Sequence, residues 1–162
     1  MNPSFNLNTL KGRMAEHLIQ ELFIQSGYNV FNFGLERLMP SLSKMLAFNN
    51  RKTSKDLRFM PDFVVQSTED GSLFYLEVKF RADGCFAFDE RYADYPYQNA
   101  WFVIVSPEKI QCMHYKRLKA GYGIHPASTY LLTKVKSFQI DPTILREYEE
   151  YARQIFASFK KG

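Results

Sequence analysis

The sequence has little of what would tie a chain together from outside. Only two cysteines occur in 162 residues. Cys85 and Cys112 match no metal-ligand spacing, so a disulfide framework and a cysteine-based zinc module are excluded, and both read as small apolar residues in a reducing compartment. The three histidines, His17, His114 and His125, lack the mutual spacing of a metal site. His114 lies in an apolar run, where a structural imidazole is expected. No serine or cysteine is arranged for nucleophilic catalysis. No apolar run approaches the roughly 20 residues of a membrane span, and the opening MNPSFNLNTLKGRMAEHL lacks the basic-then-apolar order of a secretory signal. Repeats and low-complexity tracts are also missing. A soluble, cytoplasmic protein is the expectation.

What is present is material for a core. Apolar residues make up 46% of the chain and aromatic residues 16%, which suits a packed protein, and the length suits one domain over residues 1–162. The net charge of +4 is less informative than its distribution. Lys44, Arg51, Lys52, Lys55 and Arg58 stand against Asp56 alone, while Lys109, Lys116, Arg117, Lys119, Lys134 and Lys136 span a stretch without an acid. Two basic segments suit a polyanion such as nucleic acid, which binds Lys and Arg by releasing counterions. A solvated basic surface explains the charge alone equally well.

Periodicity supplies the elements. In TLKGRMAEHLIQELFIQSG, Leu10, Met14, Leu18 and Leu22 recur every four residues, with Ala15 and Ile19 beside them, which predicts an amphipathic helix stopped by Gly27. YNVFNF reads as a strand. FVVQS and LFYLEVKF form a hairpin around TEDGS, WFVIVS and KIQCMHY are two further strands, and YLLTKVKSF is a last edge strand. Residues 35–60 form a basic insertion, with a short helix after Pro40 and a polar loop. DPTILREYEEYARQIFASFKKG is a C-terminal helix over 141–160, with Asp141 as N-cap, Pro142 at the first position and basic residues at its end.

Charges in the hairpin need a reason, because ionised groups are rarely buried unless paired or metal-bound. Strand alternation puts Glu77 and Lys79 on one face and Val78 on the other, and an antiparallel hairpin brings Asp62 beside the end of the second strand. Two carboxylates and an ammonium outline a Mg²⁺ site. A Glu-x-Lys triplet arises by chance in roughly one chain of this length, and an exposed pair of this kind contributes only about 0–1 kcal/mol. Order and context raise its weight. Pro-Asp opens an apolar strand, Glu-x-Lys closes the next, and an upstream helix carries Glu16 at the rim of its apolar stripe. The geometry expected is convergence of Asp62 and Glu77, with Glu16 and Lys79 on the same side of the sheet.

Pro61-Asp62 and Glu77-Val78-Lys79 resemble the motif of the PD-(D/E)xK phosphodiesterase superfamily, and KGRMAEHLIQELFIQSGYNV is similar to the opening of archaeal Holliday-junction resolvases. The resemblance spans residues 11–115. It implies an α/β fold with a restriction-endonuclease-like core, a central mixed β-sheet flanked by helices in the order αβββαβ, with the C-terminal helix added. It also implies a Mg²⁺-dependent endonuclease, with Mn²⁺ as possible substitute, acting on DNA as a homodimer. By analogy Asp62, Glu77, the Val78 carbonyl and Glu16 hold the metal, and Lys79 assists the attacking water. Lys11, Arg13, Arg51, Lys52, Lys55, Arg58 and Arg81 are the candidate nucleic-acid contacts. Two other readings remain open: a nuclease-like module that only binds nucleic acid or protein, and a glycosidase using Asp62 and Glu77. Lys79 and the basic segments weigh against the glycosidase. The segment DERYADYPYQNAW reads as core or interface, with base stacking as the alternative.

Overall fold

The computed structural model describes residues 3–34 and 56–160. Helix α1 (Pro3–Gln25) turns Ala15, Leu18, Ile19, Leu22 and Phe23 into the core, while Leu10, at the outer end of the predicted stripe, stays exposed. Spacings of three and four residues place the buried set on one face. Gly27 ends the helix with φ +85°, a left-handed conformation that favours glycine. Its carbonyl accepts the Thr68 hydroxyl at 2.6 Å, which ties this turn to the hairpin turn.

Five strands, β1 (Tyr28–Asn32), β2 (Phe63–Ser67), β3 (Leu73–Phe80), β4 (Ala100–Val105) and β5 (Ile110–His114), form one mixed sheet in chain order. Only the β3–β4 pair is parallel. The predicted β2–β3 hairpin is present. Its turn uses Gly71 at φ +75° and an Asp70 carboxylate that accepts the Ser72 N–H at 3.0 Å.

Alternation along the strands divides the core in two. On one face Val65, Leu76, Val78, Val103, Val105 and Ile110 pack against α1 and against α3 (Pro142–Ala157). On the other face Ala100, Phe102, Ile104 and Met113 pack with Phe86, Tyr95, Tyr115 and Leu118, the last two from α2 (Tyr115–Lys119). Helix α3 begins where predicted: Asp141 caps it by accepting the Thr143 N–H at 2.6 Å, and Pro142 opens it. The expected basic end is not part of it, since its last turn holds no basic residue and the lysines follow Ala157.

The mixed α/β sheet flanked by helices is the fold class expected, with two local differences. The crossover from β3 to the parallel β4 contains a 3-10 turn at Glu90–Tyr92 in place of a helix. Asp89 caps this turn by accepting the Arg91 N–H at 2.8 Å, and Asp83 closes a separate turn before it by accepting the Cys85 N–H at 3.0 Å. The expected last strand over 130–138 is reduced to one bridge, Gln111 with Leu131, and a 3-10 turn at Leu132–Lys134. Here the buried Gln111 side chain replaces a ladder, accepting from Ser128 Oγ at 2.8 Å and from the Tyr130 N–H at 3.1 Å and donating to the His125 carbonyl at 3.0 Å. The short helix expected after Pro40 lies outside the described residues. Among the described residues no helix is long and apolar enough to cross a membrane.

Candidate active site

The hairpin builds the site. Leu76 and Val78 enter the helix-covered core, so Glu77 and Lys79 must face the other way, beside Phe102 and Ile104 of β4. The last register pair of β2 and β3 is Phe63 with Leu76, and Asp62 is the next residue out. Its Oδ2 accepts the Val78 N–H at 2.7 Å, so a side chain takes over where the backbone ladder stops. The Asp62 carbonyl accepts the Phe33 and Gly34 N–H groups at 2.9 and 3.2 Å. The residue is thus pinned from both sides by the strand ends around it.

Lys79 Nζ lies 2.5 Å from Glu77 Oε1, with the two side chains 27% and 10% exposed. Burial is the largest influence on Glu77 and pushes its carboxyl up to about 8; Asp62 adds repulsion, the Lys79 ammonium opposes it, and Glu16 adds a smaller repulsion. Burial also works against the charge on Lys79, but Glu77, Tyr92 and Asp62 outweigh it and hold the ammonium well above the ordinary lysine range. The cluster is over-supplied with negative charge. Hard carboxylate oxygens around one ammonium are the donor chemistry that suits Mg²⁺ or Mn²⁺. Among the described residues, however, no group of three or more His, Cys, Asp or Glu side chains is placed to hold a metal ion.

Asp62, Glu77 and Lys79 are brought together by the sheet, and Glu16 is brought within electrostatic range of Glu77. Helix α1 packs its apolar stripe on the face of Leu76 and Val78, and Glu16, at the rim of that stripe, adds its charge to the surroundings of Glu77. Lys11 turns to the C-terminal segment, its ammonium 5.3 Å from the Phe159 ring. Arg13 lines a groove between α1 and α3. Arg81 donates to the Phe80 carbonyl and lies over the Phe86 ring, 5.2 Å from its centre, while Arg58 is exposed. Arg51, Lys52 and Lys55 lie outside the described residues. Cys85 is exposed and Cys112 buried, so only the second is the small apolar residue expected.

The crossover supplies residues that the sequence reading placed in the core or an interface, with base stacking as the alternative, and not in the site. The Tyr92 hydroxyl lies within electrostatic range of Lys79 and Glu77; burial raises it first, the Lys79 ammonium lowers it and the Glu77 charge raises it. Tyr95 is buried, its hydroxyl has no hydrogen-bond partner among the described residues, and burial followed by Glu77, Tyr92 and Asp62 raises it. Rings of Tyr92 and Tyr95 meet Phe102 at 5.2 and 5.6 Å, directly beside Glu77 in the register. The available signal was the cluster of tyrosines following Glu-x-Lys in sequence.

No protein-family model matches the sequence, and no curated protein does. Among solved structures, the Holliday junction resolvase Hjc of Archaeoglobus fulgidus is similar at 15% identity, covering 71% of this chain and 86% of that one with a TM-score of 0.41. The chemistry of the site is therefore read from its own side chains.

Proposed function

We propose that the chain is a Mg²⁺-dependent endonuclease that hydrolyses phosphodiester bonds in DNA, working as a cytoplasmic homodimer with one nuclease domain per chain. The observation that supports it is the junction of Asp62, Glu77 and Lys79 at the end of the β2–β3 ladder, where excess negative charge surrounds one ammonium. Asp62, Glu77 and the Val78 carbonyl would hold the metal, with Glu16 supporting it. A divalent ion there supplies Lewis-acid polarisation of a phosphoryl oxygen and a more acidic bound water. Lys79 stays an ammonium, because its neighbours favour the charged form. It therefore orients the attacking water and offsets charge growing on the phosphate, rather than removing a proton.

A second reading has its own support. Because no three ligating groups converge among the described residues, the same surface serves a module that binds nucleic acid without cutting it. Incubating plasmid, branched DNA and RNA with Mg²⁺, Mn²⁺ or EDTA separates the two. Metal-dependent cleavage that disappears in Asp62→Asn is the expected result. Intact substrate with every metal, in protein that still shifts DNA on a gel, selects the binding module.

A further inference from the structure

The second basic segment, which the cleavage site does not use, folds around a cavity of its own. About 490 Å³ of space at the β5 edge is lined by Trp101, His114, Arg117, Tyr130, Lys134 and Lys136, among others. No Asp or Glu is among the described residues lining it. Trp101 and His114 are cross-strand partners. Trp101 precedes Phe102, the register partner of Glu77, so alternation turns the indole to the opposite face of the sheet from Glu77. This cavity is not an extension of the cleavage site.

Its polar groups are donors. The Arg117 guanidinium is held over the rings of Tyr122 and Tyr130, 4.6 and 5.2 Å from their centres, so aromatic faces rather than a carboxylate position it. Lys134 and Lys136 are exposed at the rim. His114 Nδ1 accepts the Lys116 N–H at 3.3 Å, which leaves Nε2 to carry the proton of the neutral ring. The indole of Trp101 is packed edge-on against His114, with ring centres 5.1 Å apart, and is itself only partly buried. Fixed positive charge, a neutral imidazole donor and aromatic rings in one concavity match the two halves of a nucleotide: a phosphate for the cations and a base for the rings. The volume falls in the range of small-ligand sites.

We propose that this cavity is a second site that binds a nucleotide unit, its phosphate among Arg117, Lys134 and Lys136 and its base against the aromatic wall. The same chemistry can come from a single strand or from a free mononucleotide. Trp101 is the only tryptophan of the chain, so its fluorescence reports on the cavity directly. The full chain, in EDTA, is titrated with a short single-stranded oligonucleotide and, in a second arm, with a 5′-mononucleotide. Saturable change of the Trp101 signal is expected. Substituting Lys134→Ala with Lys136→Ala, both exposed and outside the core, should weaken binding at least about tenfold and lower the salt slope by roughly one unit per cation. Binding in both arms marks a nucleotide pocket, and binding in the oligonucleotide arm alone marks a strand groove; both support the site. A flat signal in both arms, or equal affinity and salt slope in the double variant, overturns it. Glu77→Gln should bind the probes like the parent, so loss of cleavage and loss of this site are read separately.

Discussion

The two faces of the sheet use the same strands for opposite ends. On the face covered by α1 and α3, Leu76 and Val78 of β3 disappear into an apolar core. On the other, Glu77 and Lys79 stand among tyrosines that carry polar atoms, one of them a buried hydroxyl without a partner among the described residues. Hydrophobic burial rewards the first arrangement at about 25 cal/mol per Å². The second arrangement carries desolvated charge and an unsatisfied donor, both of which cost stability. One strand therefore separates holding the fold from poising the chemistry, residue by residue.

The largest expected effect tests the polar face. Asp62→Asn and Glu77→Gln should each reduce metal-dependent cleavage by on the order of 100-fold or more, as loss of a reacting-centre group does, measured as rate per folded molecule. Undiminished cleavage would reduce the cluster to a structural ion pair. Leu76→Ala, one residue away on the other face, should do the reverse: unfolding free energy falls by about 2–5 kcal/mol, while the cleavage rate of the protein that remains folded changes little. Chemical denaturation paired with activity in native buffer checks both halves.

A third test concerns the sign of a titration. The Glu77 carboxyl is raised from 4.5 to about 8, so between those values the folded state keeps a proton that the unfolded chain has released. Stability of the metal-free protein should then fall as pH rises through this window and level off above it. Glu77→Gln should flatten that slope and leave the protein at least as stable at the upper end. Urea midpoints across the window decide it; a slope that survives the substitution assigns the titration elsewhere. The smallest effect expected is that of Tyr92→Phe, which removes a hydroxyl from the surroundings of Lys79 and Glu77 and should change stability by no more than about 1 kcal/mol, together with a shifted pH profile of cleavage. An unchanged profile would leave Tyr92 as packing only.

Legibility followed the range of the interactions. The hairpin, the α1 stripe and the Asp141–Pro142 start of α3 are set by neighbours in sequence, and all were readable. Asp62 beside Glu77 was readable too, because register follows from one short turn. The crossover was not, since its Asp83 and Asp89 turns and its tyrosines settle into place only against Phe102 and Tyr115. Nor was the segment that leans on β5: YLLTKVKSF has a strand's composition, but Gln111 holds it by side-chain bonds that no periodicity announces. Nor was the position of Glu16 relative to the sheet readable from periodicity. A helical wheel places a residue on its helix without saying which face of the sheet that helix covers.

The anchoring of Asp62 by Phe33 and Gly34 has a kinetic side. The β2–β3 hairpin closes over one tight turn, whereas the bonds from residues 33 and 34 to the Asp62 carbonyl, and the pairing of β1 with β2 that continues them, join positions much farther apart in sequence. Loop closure carries an entropy that grows with length and slows the formation of distant contacts. By that argument the hairpin carrying Glu77 and Lys79 is expected to form before the bonds that fix Asp62, an order that pulse-labelled hydrogen exchange at the Val65 and Phe33 amides would test.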